Sequence, residues 1–144
     1  MGSKRNPWSI GMLTLFPEMF PGPLGFSLAG RALDEKLWNL NIYDIRRFCE
    51  KSAEVDSSPF GGGNGMVMRA DVIDRVLSTV TQDPNYVQLP VVYMTPRGTP
   101  LTQEKVKIFS QGDGAIILCG RYEGVDELSL IHISEPTRRY AISY

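Results

Sequence analysis

Ala115-Ile116-Ile117-Leu118-Cys119 carries no polar residue at either of its alternating positions and runs straight into Gly120-Arg121-Tyr122-Glu123-Gly124. A short strand that is apolar on both faces has both faces covered, and such strands are found in parallel sheets sandwiched between helices. Three further segments fit the same sheet. Ser9-Ile10-Gly11-Met12-Leu13-Thr14-Leu15 is a short apolar run that breaks at Phe16-Pro17. Leu40-Asn41-Ile42-Tyr43-Asp44-Ile45 alternates, and Pro90-Val91-Val92-Tyr93-Met94 is β-branched and apolar up to Thr95-Pro96-Arg97-Gly98. Between them lie helical periods. Phe26, Ala29, Leu33 and Leu37 form one stripe, with Arg31, Asp34, Glu35 and Lys36 free to face water. Ile73, Val76, Leu77 and Val80 form another from Ala70 to about Thr81, with Asp71 and Asp74 at its positive end and Pro84 closing it. A third helix is expected from near Thr102, carrying Val106 and Phe109 inward. Strands alternating with helices in this way predict an α/β fold, a parallel sheet with flanking helices.

Composition narrows the class. The chain has 144 residues, 42% hydrophobic and 22% charged, which suits a single globular domain rather than a disordered or collagen-like chain. No window approaches the roughly 18 apolar residues of a membrane span. The start, Met1-Gly2-Ser3-Lys4-Arg5-Asn6-Pro7, lacks the apolar stretch of a signal peptide, so a cytoplasmic protein with no membrane partner is expected. Cys49 and Cys119 sit in no CxxC or Cys/His cluster, which predicts structural thiols and no metal site. A formal net charge of −1 gives no global signature of a nucleic-acid binder and leaves a local basic patch open.

Ligands of an open parallel sheet bind beyond the carboxyl ends of its strands. Three loops fall there. Within the long connection from residue 46 to residue 69, Pro59-Phe60-Gly61-Gly62-Gly63-Asn64-Gly65-Met66 exposes main-chain N–H groups suited to a base, a phosphate or another strand. It lacks the Gly-Lys-Ser/Thr of a phosphate-binding P-loop, and no Gly-x-Gly-x-x-Gly follows a strand. Tyr93 to Gly98 offers an apolar shelf and main-chain groups suited to a planar adenine ring. Gly120 to Gly124 packs Arg121, Tyr122 and Glu123 between glycines. No Ser-His-Asp arrangement exists, since the one histidine, His132, lies in the terminal segment, where a solvated residue is expected. On the residues alone, the chain is a ligand-binding α/β domain with a polar, glycine-lined site.

With these loops in order, the chain resembles the amino-terminal part of the bacterial tRNA (guanine-N1)-methyltransferases, the TrmD family of the SPOUT class. The resemblance rests on Leu13-Thr14-Leu15-Phe16-Pro17-Glu18-Met19-Phe20, Gly30-Arg31-Ala32, Pro59 to Met66, Tyr93 to Gly98, and Leu118-Cys119-Gly120-Arg121-Tyr122-Glu123-Gly124-Val125-Asp126-Glu127. It implies a sheet with a deep trefoil knot, a homodimer with active sites at the subunit interface, and methyl transfer from S-adenosylmethionine to N1 of the guanine 3′ of the tRNA anticodon. It further implies cofactor contacts, mostly by main chain, at Tyr93, Met94, Thr95, Pro96, Gly120, Tyr122 and Gly124. Gly62 and Gly63 would approach the guanine, Arg121 would contact RNA or the dimer partner, and Glu123 would support catalysis near the methionine end of the cofactor.

The chain departs from the family pattern in places. Val55-Asp56-Ser57-Ser58-Pro59-Phe60 stands where Val-Asp-Asp-Arg-Pro-Tyr is usual, Ser52-Ala53-Glu54 replaces a basic pair, and Asn64 stands where proline is common. The motif match stops at Glu127, before the family's second glycine-rich segment, catalytic aspartate and tRNA-binding domain. The expected division is therefore residues 1 to 127 as the amino-terminal part of the cofactor domain, with an incomplete knot. Residues 128 to 144 are expected to be a vector-derived tail, and little methyltransferase activity is expected of the chain. Two other readings are a non-catalytic nucleotide-binding module and a purely structural α/β dimer.

Overall fold

The computed structural model describes residues 5–49, 56–57, 67–120 and 139–143. Its sheet contains β1 (Trp8–Thr14), β2 (Trp38–Asp44), β5 (Val91–Pro100), β6 (Gly114–Cys119) and β7 (Arg139–Ser143), in the spatial order β2-β1-β6-β5-β7. Every pairing in it is parallel. A separate two-residue ribbon joins β3 (Asp56–Ser57) to β4 (Val67–Met68) antiparallel. Helices α1 (Ser27–Asp34), α2 (Ala70–Val80) and α3 (Gln103–Gln111) supply the crossovers. The architecture is the parallel α/β sheet with flanking helices that the alternation predicts.

The two faces of the sheet are covered unequally. Leu13 of β1, Ile116 and Leu118 of β6, and Val91 and Tyr93 of β5 point to one side, where Val72, Ile73, Val76, Leu77 and Val80 of α2 close the main core. The opposite face carries a smaller cluster of Val92 and Ala115, flanked by Trp8, Met94, Ile117 and Phe109 of α3. Two indoles fasten the helices on this side, Trp8 Nε1 donating to the Phe109 carbonyl and Trp38 Nε1 to the Ala29 carbonyl, each at 3.0 Å. Helix α2 therefore buries a full apolar stripe, whereas α1 and α3 bury fragments of theirs.

That difference corrects several expectations. On α1 the half-buried contacts are Ala29 and Leu33, while Phe26 and Leu37 flank the helix and are exposed, Phe26 at 75%. Gly30 is instead the point of contact, since a Cβ there would stand 2.2 Å from the Gly25 carbonyl oxygen. On α3, Phe109 turns inward as predicted but Val106 is 39% exposed. Helix α3 opens with the Thr102 hydroxyl accepting from the Lys105 N–H, and none of its residues is fully buried. Helix α2 ends at Val80 ahead of Pro84, its last carbonyls taken by the Thr81 N–H and hydroxyl. Strand β5 continues past Met94 to Pro100, because β7 pairs with it across a bulge in which Met94 and Thr99 both face Ile142. The tail residues 139–143 thus form a strand, which the sequence pattern does not signal.

After α2 the chain turns back and buries Tyr86, whose ring lies beneath Gly11 of β1 and edge-on to Tyr43 at 6.3 Å. Its hydroxyl accepts a hydrogen bond from Asn41 Nδ2 at 2.6 Å. Burial, followed by the neighbouring Tyr43, raises the Tyr86 phenol above the ordinary tyrosine value of 10.0, although the Asn41 bond opposes this. Burial also raises Tyr43, with Asp83 adding to it. Both phenols are thus held neutral in the folded state. Their contribution to stability is complete below pH 10 and is lost above it, because the unfolded chain ionises first. Alkaline titration followed by circular dichroism should show stability falling above about pH 10, and Tyr86→Phe should flatten that fall.

Candidate functional site

The carboxyl ends of the central strands define the site. Strands β5 and β6 run in register from Val91↔Ile116 to Met94↔Cys119, so the next residue along each, Thr95 and Gly120, comes just past the last rung that joins them. Beyond Met94, β5 parts from β6 and enters its bulge, and its main chain at Thr95 to Gly98 is freed from the β6 ladder. Chains that diverge at adjacent carboxyl ends open the crevice in which α/β sheets receive ligands. Strand β1 ends in the same place. Its Leu13 lies opposite Leu118, and the buried Thr14 hydroxyl accepts from the Phe16 N–H at 3.0 Å, turning the chain across the sheet edge.

Side-chain directions decide what each candidate residue can offer. The Tyr93 ring belongs to the main core, and its main chain is flanked by β6 at Leu118 and β7 at Ala141. Met94 points to the opposite face with Val92 and Ala115. Thr95 is a buried polar residue at the mouth of the crevice, Pro96 lies in the bulged part of β5, and Gly120 is exposed. Cys119 sits beside the sulfur of Met12, with Sγ and Sδ 3.4 Å apart, and burial pushes its thiol up, away from thiolate reactivity. Met12, Met94 and Cys119 make a soft, polarisable floor on that face. Arg121, Tyr122, Glu123 and Gly124, with Gly62 and Gly63 of the glycine loop, lie outside the described residues. The ribbon of β3 and β4 pairs the two flanks of the segment that contains Gly62 and Gly63. Among the described residues no group of three His, Cys, Asp or Glu side chains could hold a metal ion, and no helix is long and apolar enough to cross a membrane.

The turn after β2 belongs to the same rim, at the start of the long connection that begins at residue 46. Asp44 caps it, its Oδ1 accepting from the Arg46 N–H at 3.0 Å, and Ile45 anchors it in the core. Arg46 lies over the Phe16 ring, 5.4 Å from its centroid. An Asp-x-Arg step at the end of a strand is the local signal that could have identified this as a fixed turn.

The fold is a parallel α/β domain whose β5 and β6 part at their carboxyl ends, the edge at which sheets of this class receive ligands. Residues 8–138 match the family described as tRNA (Guanine-1)-methyltransferase TrmD, and the chain belongs to that family. The match continues past Glu127, where the motif resemblance stops. Relatives named tRNA (guanine-N(1)-)-methyltransferase include one from Zymomonas mobilis, 55% identical over 85% of this chain and 49% of that protein. Another from Gluconobacter oxydans is 53% identical over 83% of this chain and 50% of its own length. A third from Brucella ovis is 57% identical over 81% of this chain and 46% of its own. The chain spans about half the length of the curated relatives it matches.

Proposed function

We propose that the chain carries the S-adenosylmethionine-binding part of a cytoplasmic, homodimeric enzyme that methylates N1 of the guanine 3′ of the tRNA anticodon. The observation that carries this reading is the juxtaposition of Thr95 and Gly120 at parting strand ends, within a chain that belongs to the TrmD family. The residues suit the group. Main chain past the last β5–β6 rung, at Thr95 and Pro96 on one side and at Gly120 on the other, can meet the polar edge of an adenine, and the Met12, Met94 and Cys119 floor accepts its flat apolar face.

S-adenosylmethionine brings a sulfonium methyl that needs no further activation, so the protein's share is positioning and proton removal. Tyr122 and Gly124 would complete the cofactor contacts, Glu123 would hold the methionine end and favour loss of the N1 proton, and Gly62 and Gly63 would let the guanine approach closely. Residues up to Glu127 would form the amino-terminal part of the cofactor domain. Exposed apolar side chains on and beside α1 and α3, among them Phe26, Leu28, Val106 and Ile108, support pairing with a second copy.

Calorimetric titration tests the cofactor assignment. Saturable binding of S-adenosylmethionine, with ATP at least tenfold weaker, is the expected result. Equal or tighter binding of ATP would favour the nucleotide-binding module instead.

A further inference from the structure

Four arginines lie on or beside the carboxyl rim on the β2 and α2 side, and the structure treats them differently. Arg69 forms a two-pronged ion pair with Asp71, at 3.0 and 2.8 Å, and Arg75 approaches the same carboxylate at 3.5 Å. Those charges are internally matched. Arg46 and Arg47 are not matched in this way among the described residues. The nearest carboxylate is Asp44, whose Oδ1 is engaged by the Arg46 N–H, and whose Oδ2 stands 4.0 Å from Arg47 Nε, at the limit of an ion pair. The Arg47 side chain is 84% exposed. Glu18, an exposed residue of the turn after β1, makes no ion pair with either arginine.

The backbone beneath this pair is rigid. Ile45 is fully buried in the main core, the Cys49 N–H closes the turn on the Arg46 carbonyl at 3.2 Å, and Asp44 caps its start. Both guanidinium groups therefore project from a fixed base, which lowers the entropy cost of using them. Arg46 is further held against Phe16, and a stacked guanidinium keeps its in-plane N–H donors available for phosphate oxygens. Phe16 lies just past β1, and β1 stands between β2 and β6, so the two cations share the carboxyl rim with Thr95 and Gly120 on its β2 side. In a chain with net charge −1, this is a local positive feature rather than part of a general basic surface.

We propose that Arg47, together with Arg46 stacked on Phe16, grips the phosphate backbone of the tRNA strand that delivers the target base. This inference rests on the proposed tRNA substrate. The contact is a positioning one, made to phosphate and not to the guanine, so it contributes affinity and register without base specificity.

Fluorescence anisotropy with a labelled anticodon stem-loop, titrated with the full chain from about 50 to about 200 mM salt, provides the test. Arg47→Glu should weaken binding about tenfold, and Arg47→Ala should reduce the log–log salt slope by about one. Arg46→Lys, which keeps charge but loses the planar fork, should weaken binding several-fold. Lys107→Glu, the same charge change on exposed α3, should alter it less than about twofold. S-adenosylmethionine binding and the circular dichroism spectrum should be unchanged in Arg47→Glu. Equal losses from Arg47→Glu and Lys107→Glu, or no loss from either, would overturn the proposal while leaving the tRNA reading intact. Failure of the unmodified chain to bind the stem-loop at any salt would bring down both.

Discussion

Gly114→Val is expected to leave the chain without a cooperative thermal transition. Gly114 opens β6 with φ at +153°, a backbone conformation that side-chain-bearing residues rarely adopt, and it lies directly opposite Ser9 of β1. A Cβ there would fall 1.9 Å from the Ser9 carbonyl oxygen and 2.8 Å from the Ser9 nitrogen and carbonyl carbon. All three are backbone atoms of a central strand, so no rotamer change relieves the clash. Relief requires separating β1 from β6 and breaking the hydrogen bond from the Ser9 N–H to the Asp113 carbonyl at 2.9 Å. A cost above about 4 kcal/mol follows, a large part of the roughly 5 to 15 kcal/mol that holds a domain folded. Circular dichroism melting checks it, and a transition within a few degrees of the unmodified chain would show that β1 and β6 are not paired here.

The second large effect is expected at Ile116, which is fully buried at the centre of β6 between Met12's neighbour Gly11 and Val91. Ile116→Ala removes side-chain atoms from the main core and leaves a cavity that a sheet fixed on both sides cannot collapse, costing about 3 to 4 kcal/mol. Val106→Ala removes apolar atoms from α3, yet should cost less than about 1 kcal/mol because Val106 is 39% exposed and outside both core clusters. Urea unfolding of the two variants measures the contrast. Comparable losses would mean that α3 packs more deeply than described.

That contrast also explains what could be read from sequence. The central strands β1 and β6 were legible because burial on both faces leaves an apolar run, and α2 was legible because its stripe meets the larger core face. Phe26, Leu37 and Val106 fit helical periods equally well and are exposed, since a period tells which residues share a face and not whether another element covers it. The continuation of β5 to Pro100 depends on pairing with residues 139–143, a non-local event with no trace in Thr95-Pro96-Arg97-Gly98. Tyr93 to Pro96 and Gly120 could be proposed as site residues because they lie at the carboxyl ends of apolar runs. At the β2 turn the sequence carries only the Asp44 step as a signal, and the stacking of Arg46 on Phe16 is a contact between separate segments that no local pattern shows.

Amide hydrogen exchange with and without S-adenosylmethionine tests the central claim most directly. If the parting ends of β5 and β6 hold the cofactor, the amides of Met94, Thr95 and Gly120 should gain protection on addition of S-adenosylmethionine and much less on addition of ATP, while α3 stays unchanged. Protection confined to other segments, or equal protection by ATP, would contradict the account.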